Sequence, residues 1–586
     1  MKRIINIILI TTLAGLFVVL YSCKEEFLDK QPTGTAAGEV IKTSDGVEGL
    51  LIGAYDMLNG NAIFGGAMGT DWTYGSCASD NAYKGTSYGD QNNFNKVERY
   101  ETLPANHYMA SRWTDGYNGV SRTNDVLEFL WQTQEGNNPL AETRAKQIEG
   151  EAKFLRAWYH FKLTRTFENI PYIKTEEELG KSPEEVTNDS PGWDEIESDL
   201  QYAIDNLPES SPKGEAGRAD KYAAMAVKAH AHMYQNELDD AKIILDKIMN
   251  SEEFELTPNY FDNYQISGEN NEESIFEIQA SASSSSNNFM NLTGAVFHQQ
   301  GAAGVGWGFF QPSQNLFEAF QTENGLPVLE KENRESLNND MGVDSKDEFH
   351  PTTHPLDPRV DWTIARRGVD FLGWGIHQGR SWIRAQDNGG PYMTKKYMHW
   401  KSNSGSYTQG GDFRNARNFR AYRYSHVLLW RAEIAVEENE LDYARQLVNE
   451  IRSRAANEEY WKKGRVTDYT LDEQPAEEDV NWDEYAANYE IATYPSNAEA
   501  FSTKEKARKA VRLEQRLEFA TEGMRFFDLR RWGIADQVLN DFIKEDSEFR
   551  SFMKGASYDP ERDDYWPLPQ SQLDIQPELK QDPAYK

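Results

Sequence analysis

Asn236-Glu237-Leu238-Asp239-Asp240-Ala241-Lys242 recurs further along the chain as Asn439-Glu440-Leu441-Asp442-Tyr443-Ala444-Arg445. In both copies an alanine-rich helical pattern precedes the polar turn and a second helical pattern follows it. The upstream alanines match too: Ala229 stands before Ala241 as Ala432 stands before Ala444. Small residues at such points let two helices approach closely across a short turn. That is the build of a tetratricopeptide hairpin, with part of the repeat's pattern present.

Working outward, more of the chain carries helical spacing. Ile148 to Phe167 places Phe154, Leu155, Trp158, Phe161 and Leu163 on an amphipathic stripe, and Pro171 stops it soon afterwards. Asp220 to Tyr234 and Arg423 to Val436 read the same way. Lys504 to Trp532 is a long Glu- and Arg-rich stretch interrupted near Gly523. Between these lie segments of another character, 60–118, 280–312 and 368–418, rich in Gly, Asn and aromatics. Loops this long in an ordered protein tend to be functional. The fold class is therefore mostly α: a tetratricopeptide-like helical-repeat scaffold bearing long irregular loops.

Composition narrows the function. Of the 586 residues, 95 are acidic and 61 basic, a net charge of −34 that repels phosphate backbones and disfavours nucleic acid as a partner. Fifteen Trp and twenty-nine Tyr suit a surface that is apolar on one side and wet on the other. The start is a leader: Lys2 and Arg3, an apolar run from Ile4 to Leu20, then Leu20-Tyr21-Ser22-Cys23. A small residue directly before Cys, with Leu three places before it, is the pattern of a bacterial lipoprotein cleavage site, although Tyr21 departs from it. The alternative is an N-terminal membrane anchor with an incidental cysteine. Cleavage would make residues 1–22 a signal peptide and leave acyl chains on Cys23 as the anchor to the outer membrane. Cys77 would then have no disulfide partner.

At this point whole segments resemble a known family, the SusD/RagB outer-membrane nutrient-uptake lipoproteins. Cys23 to Pro32 (CKEEFLDKQP) is similar to the start of its mature members, and Lys24-Glu25-Glu26 to the surface-export signal of Bacteroidetes lipoproteins. Glu151 to Ala157 resembles the family's first strong helix, and Arg423 to Glu433 a later one, with His426 where an acidic residue is commoner. Glu514 to Ala520 and Glu522 to Gly533 resemble its most specific signature, and Trp566 to Pro569 with Gln581 to Tyr585 its ending. The resemblance spans essentially the whole chain, divided as 23–235 for the N-terminal region and 236–586 for the C-terminal one. It implies a lid on a SusC-type TonB-dependent transporter, facing the exterior, that binds a glycan or sometimes a peptide and passes it on uncut. It also implies that the residues around Arg525 and Asp528 are scaffold held by ion pairs.

Catalytic motifs are scarce. Gly85-Thr86-Ser87-Tyr88-Gly89 has the spacing of a nucleophile elbow but is read as part of a polar loop. His230 and His232 are two apart on a helix and point in different directions, which disfavours a shared metal. Asn339 to Asp344 is an acidic turn with calcium-like character but without full EF-hand spacing, and a solvated loop is the favoured reading. No cofactor or metal is implied, and paired carboxylates for a glycoside hydrolase cannot be singled out. Binding has better support. A sugar presents a C–H face to an aromatic ring and a hydroxyl rim to Asn, Asp or Arg. Three loops offer that mix: Trp72 and Tyr74 with Asp80 and Asn81; Trp307 with Phe309; and Trp374 with Arg380 and Trp382. The leading reading is a non-catalytic glycan-binding surface lipoprotein. A scaffold that binds only proteins, or a glycoside hydrolase, are the alternatives.

Overall fold

The computed structural model describes residues 41–59, 69–174, 185–282, 301, 304, 306–410 and 414–585. Cys23 and the signal segment lie outside the described residues.

Eleven helices carry the argument. The N-terminal group is α1 (Ser44–Asp56), α2 (His107–Gln134), α3 (Glu142–Phe167) and α4 (Trp193–Asn206). The two repeat copies supply α5 (Lys221–Gln235) with α6 (Leu238–Met249), and α7 (Tyr424–Glu437) with α8 (Leu441–Ala455). Then come α9 (Lys504–Glu518), α10 (Arg525–Arg531) and α11 (Ala535–Phe549). The strands are short and pair two by two. Antiparallel pairs join β1 (Ala82–Gly85) to β3 (Phe309–Pro312), β2 (Ser274–Ile278) to β4 (Phe419–Arg423), and β5 (Lys463–Val466) to β6 (Val480–Tyr485). No helix among the described residues is long and apolar enough to cross a membrane.

The repeated heptapeptide makes the same turn twice. Asn236 and Asn439 both adopt the left-handed conformation, at φ 60° and 63°, which Asn tolerates better than other side chains with a Cβ. The next amide then reaches back to close the preceding helix: Glu237 donates to the His232 carbonyl at 2.9 Å, Glu440 to that of Ala435 at 2.7 Å. Ala229, Ala241, Ala432 and Ala444 are all fully buried, as close helix contact requires. The two copies also meet. Lys242 on α6 pairs with Glu438 at 2.6 Å, and Arg431 on α7 with Asp246 at 2.7 Å.

The Glu- and Arg-rich stretch is internal. α9 begins at its cap Thr503, whose hydroxyl accepts from the Lys506 amide, and ends at Glu518, five residues before Gly523 rather than at it. Glu514, Glu518 and Glu522 join Glu273 and Asp357 in a buried network with Arg359, Arg423, Arg452, Arg454 and Lys396. Five carboxylates thus face five cations, and most of these side chains are wholly out of solvent. Beyond it, Arg525 grips Asp80 through two nitrogens, and Arg531 spans Asp528 and Glu433. The signature residues are scaffold.

The Gly-rich segment after residue 68 is not a surface loop. Trp72–Cys77 forms one wide π-helical turn that threads under the turn between α9 and α10. A Cβ on Gly75 would lie 1.7 Å from the Gly523 carbonyl oxygen, so only glycine allows the two backbones to cross. Asp71 anchors the start of this turn. It is buried with Arg112 at 2.6 Å, Lys162 at 2.5 Å and Arg165 at 2.7 Å. Burial alone would raise its carboxyl, but these three cations hold it at about 2.

Candidate functional site

Burial divides the aromatic candidates. Trp72 and Tyr74 are each 1% exposed and Trp382 is 3% exposed; Phe309 is likewise buried within β3. Trp72 packs against Phe94 and Phe310 with centroids 5.2 and 5.1 Å away, and Tyr74 donates its hydroxyl to the Tyr108 carbonyl at 2.9 Å. The Trp382 indole N–H goes to Gln378 at 2.7 Å. None of these four rings has a free face, which corrects the expectation that they stack on a ligand. Asp80 and Asn81 are buried as well. Asp80 is ion-paired to Arg516 and Arg525, and Asn81 accepts from Arg516 at 2.9 Å. They tie the π-helical turn to α9 and α10, so their polar atoms are used within the fold.

Trp307 and Trp374 are different: both are half-buried at the margin of the main core. Each stands in a Gly-Trp-Gly triplet, 306–308 and 373–375, and all four glycines have positive φ, between 75° and 132°. Glycine on both sides removes the side chains that would cover the indole. The Trp374 loop is fixed by the Phe371 amide to the Gly375 carbonyl at 2.9 Å and by the Asp370–Ile376 bridge. Its indole N–H donates to the His399 carbonyl at 3.1 Å, which holds the ring plane. The segment 397–400 links the two loops. Phe310, three residues after Trp307, packs on Tyr397 at 5.3 Å, and Trp374 meets His399 edge-on at 5.6 Å.

The same neighbourhood holds residues that the sequence did not single out as a site. Trp400 and Trp362 are half-buried with centroids 6.4 Å apart. Lys462 lies over both rings, at 5.4 and 5.0 Å, and pairs with Asp370 at 2.6 Å. Tyr407 follows in the same loop and is 44% exposed. Lys462 comes from a distant part of the chain, so no local spacing could have joined it to these tryptophans.

Arg380 is exposed and parts company with its neighbour Trp382, which points inward. It pairs with Asp344 at 3.0 Å on the wall of an open cavity of about 820 Å³, shared with Arg384, Asp387 and the exposed Phe549. The acidic turn beside it is organised by a guanidinium. Arg367 donates to the carbonyls of Asp344, Ser345, Asp347 and Tyr469 at 2.5 to 3.1 Å. A cation already sits at the centre of that loop, so its carbonyls are committed to a side chain.

The remaining candidates resolve individually. His230 bonds the Tyr422 hydroxyl at 2.8 Å, whereas His232 faces Glu237 through Nδ1 at 2.7 Å and Glu197 through Nε2 at 3.7 Å. One ligand atom each from Glu197, His232 and Glu237 lie within 4.8 Å of one another, so His232 groups with two carboxylates and not with His230. Ser87 lies in the loop 86–91, with the strand β1 before it and a short helix, Asn92–Glu98, after it. Among the described residues no histidine bonds its hydroxyl, and its carbonyl receives Lys84 at 3.1 Å. Cys77 is buried, its thiol directed at the Tyr83 carbonyl at 3.3 Å.

Comparison with known proteins gives a consistent set of likenesses. Residues 272–585 match the family model described as the SusD family, and residues 26–234 one described as starch-binding associating with outer membrane. A SusD-like protein of Formosa agariphila is 26% identical over 582 residues, covering 96% of each chain. Among solved structures, a SusD superfamily protein of Bacteroides vulgatus superposes with a TM-score of 0.66 at 22% identity, over 93% of this chain and 99% of that one. Surface glycan-binding protein A of Bacteroides thetaiotaomicron, in complex with laminarihexaose, gives 0.64 at 19% identity, over 92% and 99%.

Proposed function

This chain belongs to the SusD family, and from that we propose that it captures a glycan at the cell surface and passes it, uncut, to a SusC-like TonB-dependent transporter. The lipid on Cys23 would hold it on the outer membrane facing the exterior, a reading supported by the leader pattern and by the outer-membrane description of the N-terminal match. The observation that carries the ligand class is the pair of Gly-Trp-Gly loops. Trp307 and Trp374 are half-buried, whereas Trp72, Tyr74, Phe309 and Trp382 are closed into the core. An indole face held by backbone hydrogen bonds is pre-organised to stack on a pyranose ring, and pre-organisation lowers the ordering cost of binding. Trp400, Tyr407 and the Lys462–Asp370 pair give that area further apolar and polar partners. Two relatives of the same fold carry a glucan in their descriptions, laminarin in one and laminarihexaose in the other.

The experiment is a binding screen of the purified protein against neutral and acidic polysaccharides and peptides, with product analysis on every hit. Retention of a polysaccharide without cleavage, lost when Trp307 and Trp374 are both changed to Ala, is the expected result. Cleavage of the ligand would replace this reading with a hydrolase. Retention of the ligand at full strength by the double variant would move the site elsewhere.

A further inference from the structure

Behind the Asp80 anchor lies a small cavity of about 320 Å³ walled by α9, α10, the start of α11 and the segment Glu330 to Arg334. Its lining carries six cationic side chains against four carboxylates, in a chain whose net charge is −34. The inner wall is more lopsided still. Arg334, Arg512, Arg516 and Arg525 converge there around one buried carboxylate, Asp80. Arg525 takes both of its oxygens, at 2.8 and 3.0 Å, and Arg516 shares one at 3.0 Å. Arg334 donates Nε to the Val328 carbonyl, and Arg512 lies over the Trp532 ring at 4.8 Å with its Nε unbonded. Neither has a carboxylate within ion-pair distance among the described residues. The two lysines are neutralised at the rim, Lys331 by Glu545 and Lys509 by Glu330, both at 2.7 Å.

We propose that this cavity is an oxyanion site, taking the carboxylate or sulfate group of one acidic sugar unit or the corresponding free ion. Guanidinium groups present planar forks that match such oxygens. The site is also electrostatically unsatisfied as it stands. Burial together with Arg525 and Arg334 pulls Arg516 down to about 9 despite Asp80, and burial brings Arg334 and Arg512 to about 10. A bound anion relieves that mutual repulsion. The exposed carboxylates Glu332 and Asp541 at the mouth oppose it, so they set a ceiling on affinity and exclude ligands with several adjacent charges. No tryptophan of the Gly-Trp-Gly loops lines this cavity, and the inference stands apart from the glycan face.

Calorimetric titration of the purified protein at low salt with glucuronate, acetate, glucose 6-sulfate, sulfate and glucose tests it. Glucuronate or sulfate should bind and glucose should not. Arg512→Met should weaken the anion about tenfold or more, the scale of a charge-assisted hydrogen bond. Asp541→Asn, at an exposed rim position that leaves folding untouched, should tighten it. Tighter binding of glucuronate than of acetate, or of glucose 6-sulfate than of free sulfate, assigns the site to an acidic sugar, and the reverse assigns it to the free ion. Equal binding of glucose and glucuronate, absence of any anion binding, or affinity unmoved in both variants overturns the proposal. The Trp307/Trp374 double variant should leave this binding intact, so failure of either site is read separately.

Discussion

Changing Glu518 to Gln keeps the shape of the side chain and removes one charge from the centre of the buried network. Glu518 receives Arg423 and Arg454 on one oxygen, each at 2.5 Å, and Arg359 on the other at 3.0 Å. Five carboxylates and five cations balance there, so the variant leaves one positive charge uncompensated at a site without solvent. Removing one partner of a buried pair costs about 3–5 kcal/mol, because the surviving charge keeps its desolvation penalty. Spread over a chain of this size, with an unfolding entropy of about 2.1 cal/mol/K per residue, that corresponds to a fall in Tm of roughly 2–4 °C. The decisive comparison is a double variant. Adding Arg454→Met restores neutrality, and it should recover about 1–3 kcal/mol relative to Glu518→Gln alone, a coupling typical of residues in one network. Urea unfolding followed by tryptophan fluorescence, in parallel with thermal scans, measures both. A Glu518→Gln protein within about 0.5 kcal/mol of the parent, the range of an ordinary surface substitution, would refute the reasoning. So would a double variant less stable than the sum of its singles.

The same network predicts the acid limb of stability. Burial alone would raise Glu522, but Arg423 and Lys396 hold it at about 2, and Arg454, Arg423 and Arg359 likewise hold Glu518 well below the ordinary carboxylate range against its burial. Carboxyls depressed in this way contribute stability that is complete above their unfolded value of about 4.3 and lost as pH falls through the folded value. Unfolding free energy should therefore decline between about pH 4 and pH 2, and Glu518→Gln should flatten that decline. Trp72→Ala should destabilise the protein by about 3–5 kcal/mol, as for a fully buried aromatic, and alter ligand affinity only through loss of folded protein; a stable Trp72→Ala protein that has lost affinity would place that ring back in the site. Trp307→Ala and Trp374→Ala should each weaken glycan binding about tenfold, the value of one good aromatic contact, with Tm nearly unchanged.

The scaffold was readable because it rests on local rules. Asn236 and Asn439 could be matched by eye, and the left-handed turn they form is a property of a single residue type in a single place. The spacing of Phe154, Leu155, Trp158 and Phe161 likewise states a helix directly. Its true start at Glu142 was less visible, because the first turns are polar and no side chain caps the end. The family resemblance and the ion-paired character of the Arg525 and Asp528 region were also legible, since alternating Glu and Arg on a helix has few other uses. Which arginine meets which carboxylate was not. Glu273, Asp357 and Glu518 meet through Arg359, Arg423 and Arg454 only after the chain has returned to the same place several times.

The loops misled for a related reason. Gly, Trp and Tyr together describe an exposed stacking platform and a glycine-permitted backbone crossing equally well, and only tertiary context separates them. At Gly75 the missing Cβ admits the Gly523 carbonyl, so this glycine lets another backbone close over that turn. At Gly373 the nearest atoms to an added Cβ are 3.9 Å away, on Trp400 and Lys401, and the indole beside it stays half in water. Two segments of like composition thus take opposite roles, one stitching the scaffold to α9 and α10, the other facing outward. The discriminating feature is flanking charge. Asp71 and Asp80 border the buried turn and need several arginines and a lysine from elsewhere, which commits that segment to the interior. The segment from Leu372 to Gly375 contains no charge at all, and its tether Asp370 pairs with Lys462 at the edge of the tryptophan cluster. A glycine-rich aromatic turn bordered by a carboxylate at each end is therefore better read as a buried anchor than as a ligand platform.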